Sequence, residues 1–269
     1  MNQPTSNSRK KIGLALGSGA LKGIAHIGVI KVLEKNHIPI DFIAGSSIGA
    51  LVGALYAANP DSKALEKIVL ATDLKRSLGL LDPGFKKGLL RGKKIEQFLK
   101  QCLSHKDFKD LKIPLVIAAT NLKTGEAEII KEGDVISAVR ASISFPVVFE
   151  PIQREGQWLV DGGMTMTVPV KPLKDMGADI VLAVNLYNYS KRSRRFSKIK
   201  ISQIGSESAE IMLYQLAKRD IKEAQVVIAP DVEGYNLLEL IKHRRKILRL
   251  GEEAAEEKIP LIKKLLAKN

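Results

Sequence analysis

The chain has 269 residues and a mass of 29.5 kDa, and 45% of its residues are hydrophobic. A chain of this size buries enough surface to fold without disulfides or a structural metal, and one large α/β domain accounts for its length. Its single cysteine, Cys102, excludes an intramolecular disulfide and a cysteine-rich zinc site. The formal net charge of +14 predicts attraction to anionic surfaces, either phospholipid headgroups or nucleic acid.

The N-terminal segment is polar and ends in a basic cluster. We expect a disordered basic tail over residues 1–10 and a single domain over 11–269, with a helical C-terminal third. Because the segment lacks the apolar core of a secretory signal, a cytoplasmic location is predicted, with peripheral attachment to the inner membrane surface left open.

In chain order, the apolar periodicity predicts a strand at 11–16, a glycine-bearing turn, a helix to about Asn36 and a strand from Ile40 into a second turn. This βαβα opening is typical of an α/β fold. The elements that follow are helices over 61–73, 92–104 and about 133–141, and strands over 115–120, 127–130, 158–160, 180–184 and 226–228.

The second turn reads Gly45-Ser46-Ser47-Ile48-Gly49 and lies between two apolar runs. A serine on such a strand–turn–helix turn has an exposed hydroxyl above the amide end of the helix, and the flanking glycines avoid side-chain clashes. Ser47 is therefore the candidate nucleophile. The alternative is a serine that only caps the following helix.

No residue between Asp41 and Asp61 is charged, and Gly49 and Gly53 have the spacing of packed membrane helices. A membrane span is one interpretation of this stretch. A buried strand followed by a buried helix is favoured, because the Gly-Ser-Ser sequence at 45–47 would interrupt a spanning helix.

The first turn carries glycines at positions 17, 19 and 23. These miss the dinucleotide-binding spacing by one residue, and Asp41 begins an apolar strand, which makes it a poor ribose ligand. The other interpretation is an anion cradle, in which backbone amides at a helix N-terminus hold a negative oxygen. Beside Ser47, such a cradle would be an oxyanion hole.

A serine nucleophile needs a base, and only His243 among the histidines follows the candidate acid Asp161. His243 lies in a basic run that disfavours protonation of its ring and is explained better by a solvated helix face. Asp161 can itself accept the serine proton, and Gly162 and Gly163 allow a close approach of the backbone. A simple Asp-Gly-Gly turn is the alternative.

Three ordered motifs carry a family resemblance: Gly17-Ser18-Gly19-Ala20-Leu21-Lys22-Gly23, the Ser47 turn and Asp161-Gly162-Gly163. From about Lys11 to Ala183 the chain resembles the patatin-like phospholipases, above all the small intracellular bacterial members. The resemblance implies a three-layer α/β/α fold with a central, mostly parallel sheet. It also implies hydrolysis of phospholipid, lysophospholipid or related lipid esters by a Ser–Asp dyad, with no metal or cofactor.

By this resemblance Ser47 is the nucleophile and Asp161 the base, and Gly45, Gly49, Gly162 and Gly163 support the motifs. The glycine-rich loop implies the amides of Gly19 and Ala20 as oxyanion donors. The sequence departs from the family pattern in having Ser18 and Ala20 where glycine is usual and Lys22 where arginine is usual. A positive φ angle at Ser18 or Ala20 would strain the loop.

Residues 191–200 contain six basic residues and no acidic one, and the C-terminal helix also carries several lysines. Both are candidates for contact with an anionic membrane, and a solvated basic loop is the alternative for residues 191–200. No nucleic-acid-binding motif is present.

The competing functional interpretation is a regulatory or binding protein on the same scaffold, with weak or no hydrolase activity. A carboxylate base predicts loss of activity near pH 4, unless burial raises its pKa.

Overall fold

The computed structural model describes residues 9–71, 91–103, 106–146, 148–188, 201–235 and 237–267. Within these ranges one mixed sheet has the order β5-β6-β3-β2-β1-β7-β8, and β4 also pairs with β3. The strands are β1 (Ile12–Leu16), β2 (Phe42–Ser46), β3 (Leu115–Asn121), β4 (Ala127–Ile130), β5 (Ile152–Arg154), β6 (Gln157–Asp161), β7 (Ile180–Val184) and β8 (Val226–Ile228).

Helices cover both faces of the sheet. Alternate residues of the central strands point to opposite faces, so Leu14 and Ile43 join one apolar core while Ala15 and Ala44 join a second. The result is a three-layer α/β/α arrangement, which confirms the predicted fold class. The helices are α1 (Ile24–Lys35), α2 (Ile48–Ala58), α3 (Ser62–Ala71), α4 (Lys93–Leu103), α5 (Val135–Ser142), α6 (Val170–Asp175), α7 (Ile201–Asp220), α8 (Leu237–Lys242) and α9 (Arg244–Ala267).

The centre of the sheet is parallel, because β1 pairs in parallel with β2 and β7, and β2 with β3. Leu16, the last residue of β1, pairs with Gly45 of β2, so the chain leaves both strands at the same edge. The antiparallel strand β6 reaches this edge from the other direction. Ala118 of β3 pairs with Ser46, and the next residue, Ala119, pairs with Asp161.

The uncharged stretch between Asp41 and Asp61 forms β2, a turn and α2, so the buried interpretation is confirmed. In the part of the chain that the structure describes, no helix has the length and apolar character needed to cross a bilayer. The short elements β5 and α6 were not predicted, because three and six residues show too little periodicity.

The last helix, α9, packs along α1 at a crossing made by two glycines. A Cβ atom on Gly28 would lie 2.1 Å from the carbonyl oxygen of Leu248, and one on Gly251 would lie 2.1 Å from that of Ala25. Near this layer, Lys10 donates a hydrogen bond to the Leu265 carbonyl. Of the tail predicted over residues 1–10, residues 1–8 lie outside the described residues. Arg9 is described and forms an ion pair with Asp41.

Candidate functional site

Ser47 lies on the turn between β2 and α2, with φ 53° and ψ −121°. This conformation is unfavourable for a residue with a Cβ atom and costs roughly 1–3 kcal/mol. The Ser47 amide donates a 2.8 Å hydrogen bond to Ser142 Oγ, which in turn donates to the Ala118 carbonyl. The Ser47 hydroxyl does not cap α2. Its backbone is instead held by a serine of another helix, α5.

The motif glycines allow close contacts between backbones, and none of them has a positive φ angle. A Cβ atom on Gly49 would lie 2.0 Å from the Leu16 carbonyl oxygen, and one on Gly162 would lie 2.1 Å from that of Ala118. The strain of the turn is therefore carried by the serine, and the glycines bring neighbouring strands and helices together. Gly17 and Gly45 also lie against backbone atoms, whereas Gly23 and Gly163 lie against the side chains of Ile48 and Ser18.

Asp161 ends β6 with only 2% of its surface exposed. Its Oδ2 accepts a 2.6 Å hydrogen bond from Ser47 Oγ, and its Oδ1 accepts one of 2.8 Å from the Gly163 amide. Its backbone is held as well, by Thr120 Oγ1 on the carbonyl and by the Ser144 carbonyl on the amide. The structure therefore brings the two predicted residues into direct contact.

Burial raises the pKa of the Asp161 carboxyl to about 7, against the hydrogen bonds from Ser47 and Gly163, which lower it. The charged carboxylate is disfavoured because little water reaches it. Burial is the condition under which the expected acid limit moves above pH 4, and we therefore expect that limit near pH 7. A carboxylate with this pKa is a useful proton acceptor near neutral pH, because proton transfer is most effective when the pKa matches the working pH.

The histidines do not lie between these two groups, since Ser47 and Asp161 are in direct hydrogen-bond contact. His26 is fully buried on α1, and its Nε2 lies 2.8 Å from the Gly17 carbonyl oxygen. Burial lowers the pKa of His26 to about 4, so the ring is neutral. Its Nε2–H then donates the hydrogen bond to the Gly17 carbonyl. His26 thereby holds the start of the glycine-rich loop.

The glycine-rich loop, residues 17–23, is anchored to neighbouring elements at its start. The Gly17 amide donates to the Val184 carbonyl and the Ser18 amide to the Thr167 carbonyl. Ala20 has φ 49°, so the departure from glycine does strain the loop at this position, whereas Ser18 has no positive φ. The amides of Gly19 and Ala20 donate no hydrogen bond to any residue in the described ranges.

Lys22 of this loop is buried, and its ammonium is paired with Glu210 of α7 at 3.0 Å. The same ammonium lies 5.1 Å from the centre of the Tyr187 ring. The Ser18 side chain is also buried and lies against Gly163. Within the described ranges, no three His, Cys, Asp or Glu side chains form a group able to hold a metal ion.

The sequence analysis missed the residues that support the site. Ser142 ends α5 and Ser144 lies two residues beyond it, and neither belongs to the three motifs that carried the resemblance. No sequence pattern pointed to Tyr187 or Glu210, because they contact Lys22 from positions far along the chain. Together, these residues supply a hydroxyl in contact with a buried carboxylate, and a nearby loop sequence with amides that donate to no described residue, groups that acyl transfer through a serine uses.

Two relatives of known sequence match about two thirds of this chain. An uncharacterized NTE family protein of Mycobacterium tuberculosis is 36% identical over 181 residues, which cover 67% of this chain and 50% of that protein. The Lysophospholipase NTE1 of Coccidioides immitis is 34% identical over 184 residues, 66% of this chain and 12% of the fungal protein. The chain therefore spans about half the length of the mycobacterial relative and a small part of the fungal one.

Among solved structures, VipD from Legionella pneumophila matches with a TM-score of 0.62 and 13% sequence identity, over 95% of this chain and 67% of that one. This likeness shows a shared fold. A family model described as patatin-like phospholipase matches residues 14–174, more than half of the chain, and includes β1, the Ser47 turn and Asp161. The chain belongs to the patatin-like phospholipase family.

Proposed function

We propose that this protein hydrolyses the carboxylic acyl esters of phospholipids, lysophospholipids or related lipids, with Ser47 as nucleophile and Asp161 as base. The observation that carries the proposal is the 2.6 Å hydrogen bond from Ser47 Oγ to the buried Asp161 carboxylate. The family supports a lipid acyl ester as the substrate. The name of the fungal relatives, lysophospholipase, supports a lysophospholipid among the candidates.

In the first step, Ser47 Oγ attacks the ester carbonyl carbon and its proton moves to Asp161 Oδ2. The negative oxygen that forms is stabilised by the amides of Gly19 and Ala20, and the N-terminus of α2 adds positive potential behind Ser47. Asp161 returns the proton to the leaving alcohol, and an acyl–Ser47 ester is left. Water then attacks this ester while Asp161 accepts its proton, and Asp161 passes that proton to Ser47 Oγ as the fatty acid is released.

We also propose that the protein docks on anionic membrane through its basic groups. The segment 191–200 lies outside the described residues, so its part rests on sequence alone. In α9 the apolar side chains Ile259 and Ile262 are buried against the core, while Lys263 and Lys264 lie on the exposed side. Contact by this helix would therefore be electrostatic, with each basic side chain near the surface contributing about 1 kcal/mol.

Labelling with a fluorophosphonate probe tests the enzyme directly. The wild-type chain should be labelled, and Ser47→Ala should abolish both labelling and hydrolysis of a short-chain nitrophenyl ester and of lysophosphatidylcholine. Ser46→Ala is the matched control, because it removes a hydroxyl from the neighbouring residue and should leave both signals intact. A folded wild type that is neither labelled nor active would favour the regulatory protein instead.

Membrane docking is tested separately, by co-sedimentation of the protein with vesicles. Vesicles of phosphatidylglycerol are anionic, and those of phosphatidylcholine carry no net charge. The protein should sediment with the anionic vesicles only, and replacing the six basic residues of 191–200 by glutamine should weaken this binding. Equal binding to both vesicles would contradict docking by charge.

A further inference from the structure

Glu210 lies in α7, beyond residue 174 where the match to the family ends. Its Oε1 accepts a 3.0 Å hydrogen bond from Nζ of Lys22, although the two residues are 188 positions apart. The helix α7 is thereby connected to the glycine-rich loop. The same helix is tied to the other side of the site, where Arg219 donates to the carbonyl of Thr165, four residues after Asp161.

The Lys22–Glu210 pair is largely removed from water. The side chain of Lys22 is 10% exposed and that of Glu210 33%, and the ammonium also lies over the face of the Tyr187 ring. A charge pair in such surroundings is weakly screened, and loss of Glu210 would remove the carboxylate that is paired with the Lys22 ammonium. Lys22 is therefore held in place by two residues outside its own loop, Glu210 of α7 and Tyr187, which follows β7.

The backbone of Lys22 closes the turn that carries the amides of Gly19 and Ala20. Its amide donates a 3.1 Å hydrogen bond to the Gly19 carbonyl and closes the turn around Ala20. Ala20 has the unfavourable φ of 49°, so this turn depends on its anchors to keep its shape. A shift of Lys22 would move the amides of Gly19 and Ala20.

We propose that Glu210 is a positioning residue for the oxyanion loop, acting through Lys22. The inference rests on the proposed function, because it assigns the loop amides to the oxyanion. Donors of this kind act only when they point at the oxygen that becomes negative, and a displacement of about 1 Å can cost on the order of 100-fold in rate. Loss of the pair should therefore lower kcat more than it changes KM.

The test uses Lys22→Met, which keeps the apolar stem over Tyr187, Glu210→Gln, which keeps the size of the side chain, and the double variant. Each single variant should lower kcat for a nitrophenyl ester by about 10- to 100-fold, with KM changed less than about twofold. The double variant should be no slower than the slower single variant, because both changes remove the same interaction. Lys22→Arg should keep most of the activity.

Glu252→Gln is the control for loss of an ion pair between helices, because it alters the 2.9 Å pair with Lys31 that links α1 to α9 away from the site, while Lys31 keeps Glu66 as a second partner. Its kcat should equal that of wild type. Wild-type kcat in both single variants, or losses that multiply in the double variant, would overturn the inference while the proposed function stands. An inactive, unlabelled wild type would instead remove the proposed function itself.

Discussion

Two regions of the molecule differ in backbone strain and in the burial of a charged group. At the crossing of α1 and α9, Gly28 and Gly251 let two helices touch through their backbones, and neither glycine has a positive φ angle. At the edge of the sheet, Ser47 and Ala20 have unfavourable φ angles, and the carboxylate of Asp161 is buried. The first arrangement contributes stability, whereas the second lowers stability and creates a reactive geometry.

Asp161→Asn gives the largest effect and tests the comparison most directly. We expect ester hydrolysis to fall about 10³-fold, because the proton acceptor is lost. Since the pKa of Asp161 is raised in the folded state, wild-type stability decreases as the pH rises from about 4 to about 7, and the variant avoids this loss. At pH 8 it should be more stable by up to about 4 kcal/mol.

Urea unfolding of both proteins at pH 4 and pH 8, together with kcat, measures the two effects of Asp161→Asn. A variant less stable than wild type at pH 8 would mean that the buried carboxylate is stabilising, and the contrast between the two regions would fail.

Gly28→Ala should have the opposite effect on the protein. A methyl group 2.1 Å from the Leu248 oxygen forces α1 and α9 apart, and we expect a loss of about 3 kcal/mol in the free energy of unfolding. Activity of the folded fraction should not change. Gly205→Ala is the control, because a Cβ atom at this helical position meets nothing within 4 Å and should stabilise by up to about 1 kcal/mol.

The pH dependence of kcat/KM reports the protonation state of Asp161 in the site. Because the Asp161 carboxylate must be unprotonated, kcat/KM should fall about tenfold per pH unit below about 7, and about 100-fold by pH 5. Initial rates on a chromogenic ester, with circular dichroism to verify the fold, give the profile. A plateau that extends to pH 5 would show that the Asp161 pKa is not raised or that Asp161 is not the base.

Ser142→Ala should have a smaller effect, on both kcat and stability. It removes the acceptor of the Ser47 amide, and the strained turn should loosen, lowering kcat about tenfold with a stability loss of about 1–3 kcal/mol. Ser46→Ala serves again as the comparison, since it deletes a buried hydroxyl without touching that amide. Equal kcat values for the two variants would show that Ser142 does not hold the turn.

Ala20→Gly has the smallest predicted effect. Glycine tolerates the φ of 49°, so strain of about 1 kcal/mol is relieved, partly offset by the greater freedom of glycine in the unfolded chain. Thermal unfolding should therefore show a small gain, and kcat should stay within about twofold. A clear loss of stability would show that Ala20 is not strained in this loop.

The sequence predicted the order and nearly all of the elements, because hydrophobic periodicity and glycine-bearing turns are local signals. β7 and β8 have the predicted bounds, and Ser47 and Asp161 were chosen from their motifs. The residue types at Ser18 and Ala20 marked where the loop could be strained, and the φ angles showed that Ala20 is the strained position. The short elements β5 and α6 left too little pattern to be recognised.

The tertiary structure decided the properties that depend on residues far apart in the chain. The pKa of Asp161 near 7 arises from burial, which no local pattern encodes. The contact of Ser142 with the Ser47 amide and the Lys22–Glu210 pair join segments 95 and 188 positions apart. Sequence by itself thus determined which groups are present at the site, and packing determined their distances, charges and strain, because these depend on what surrounds each group in space.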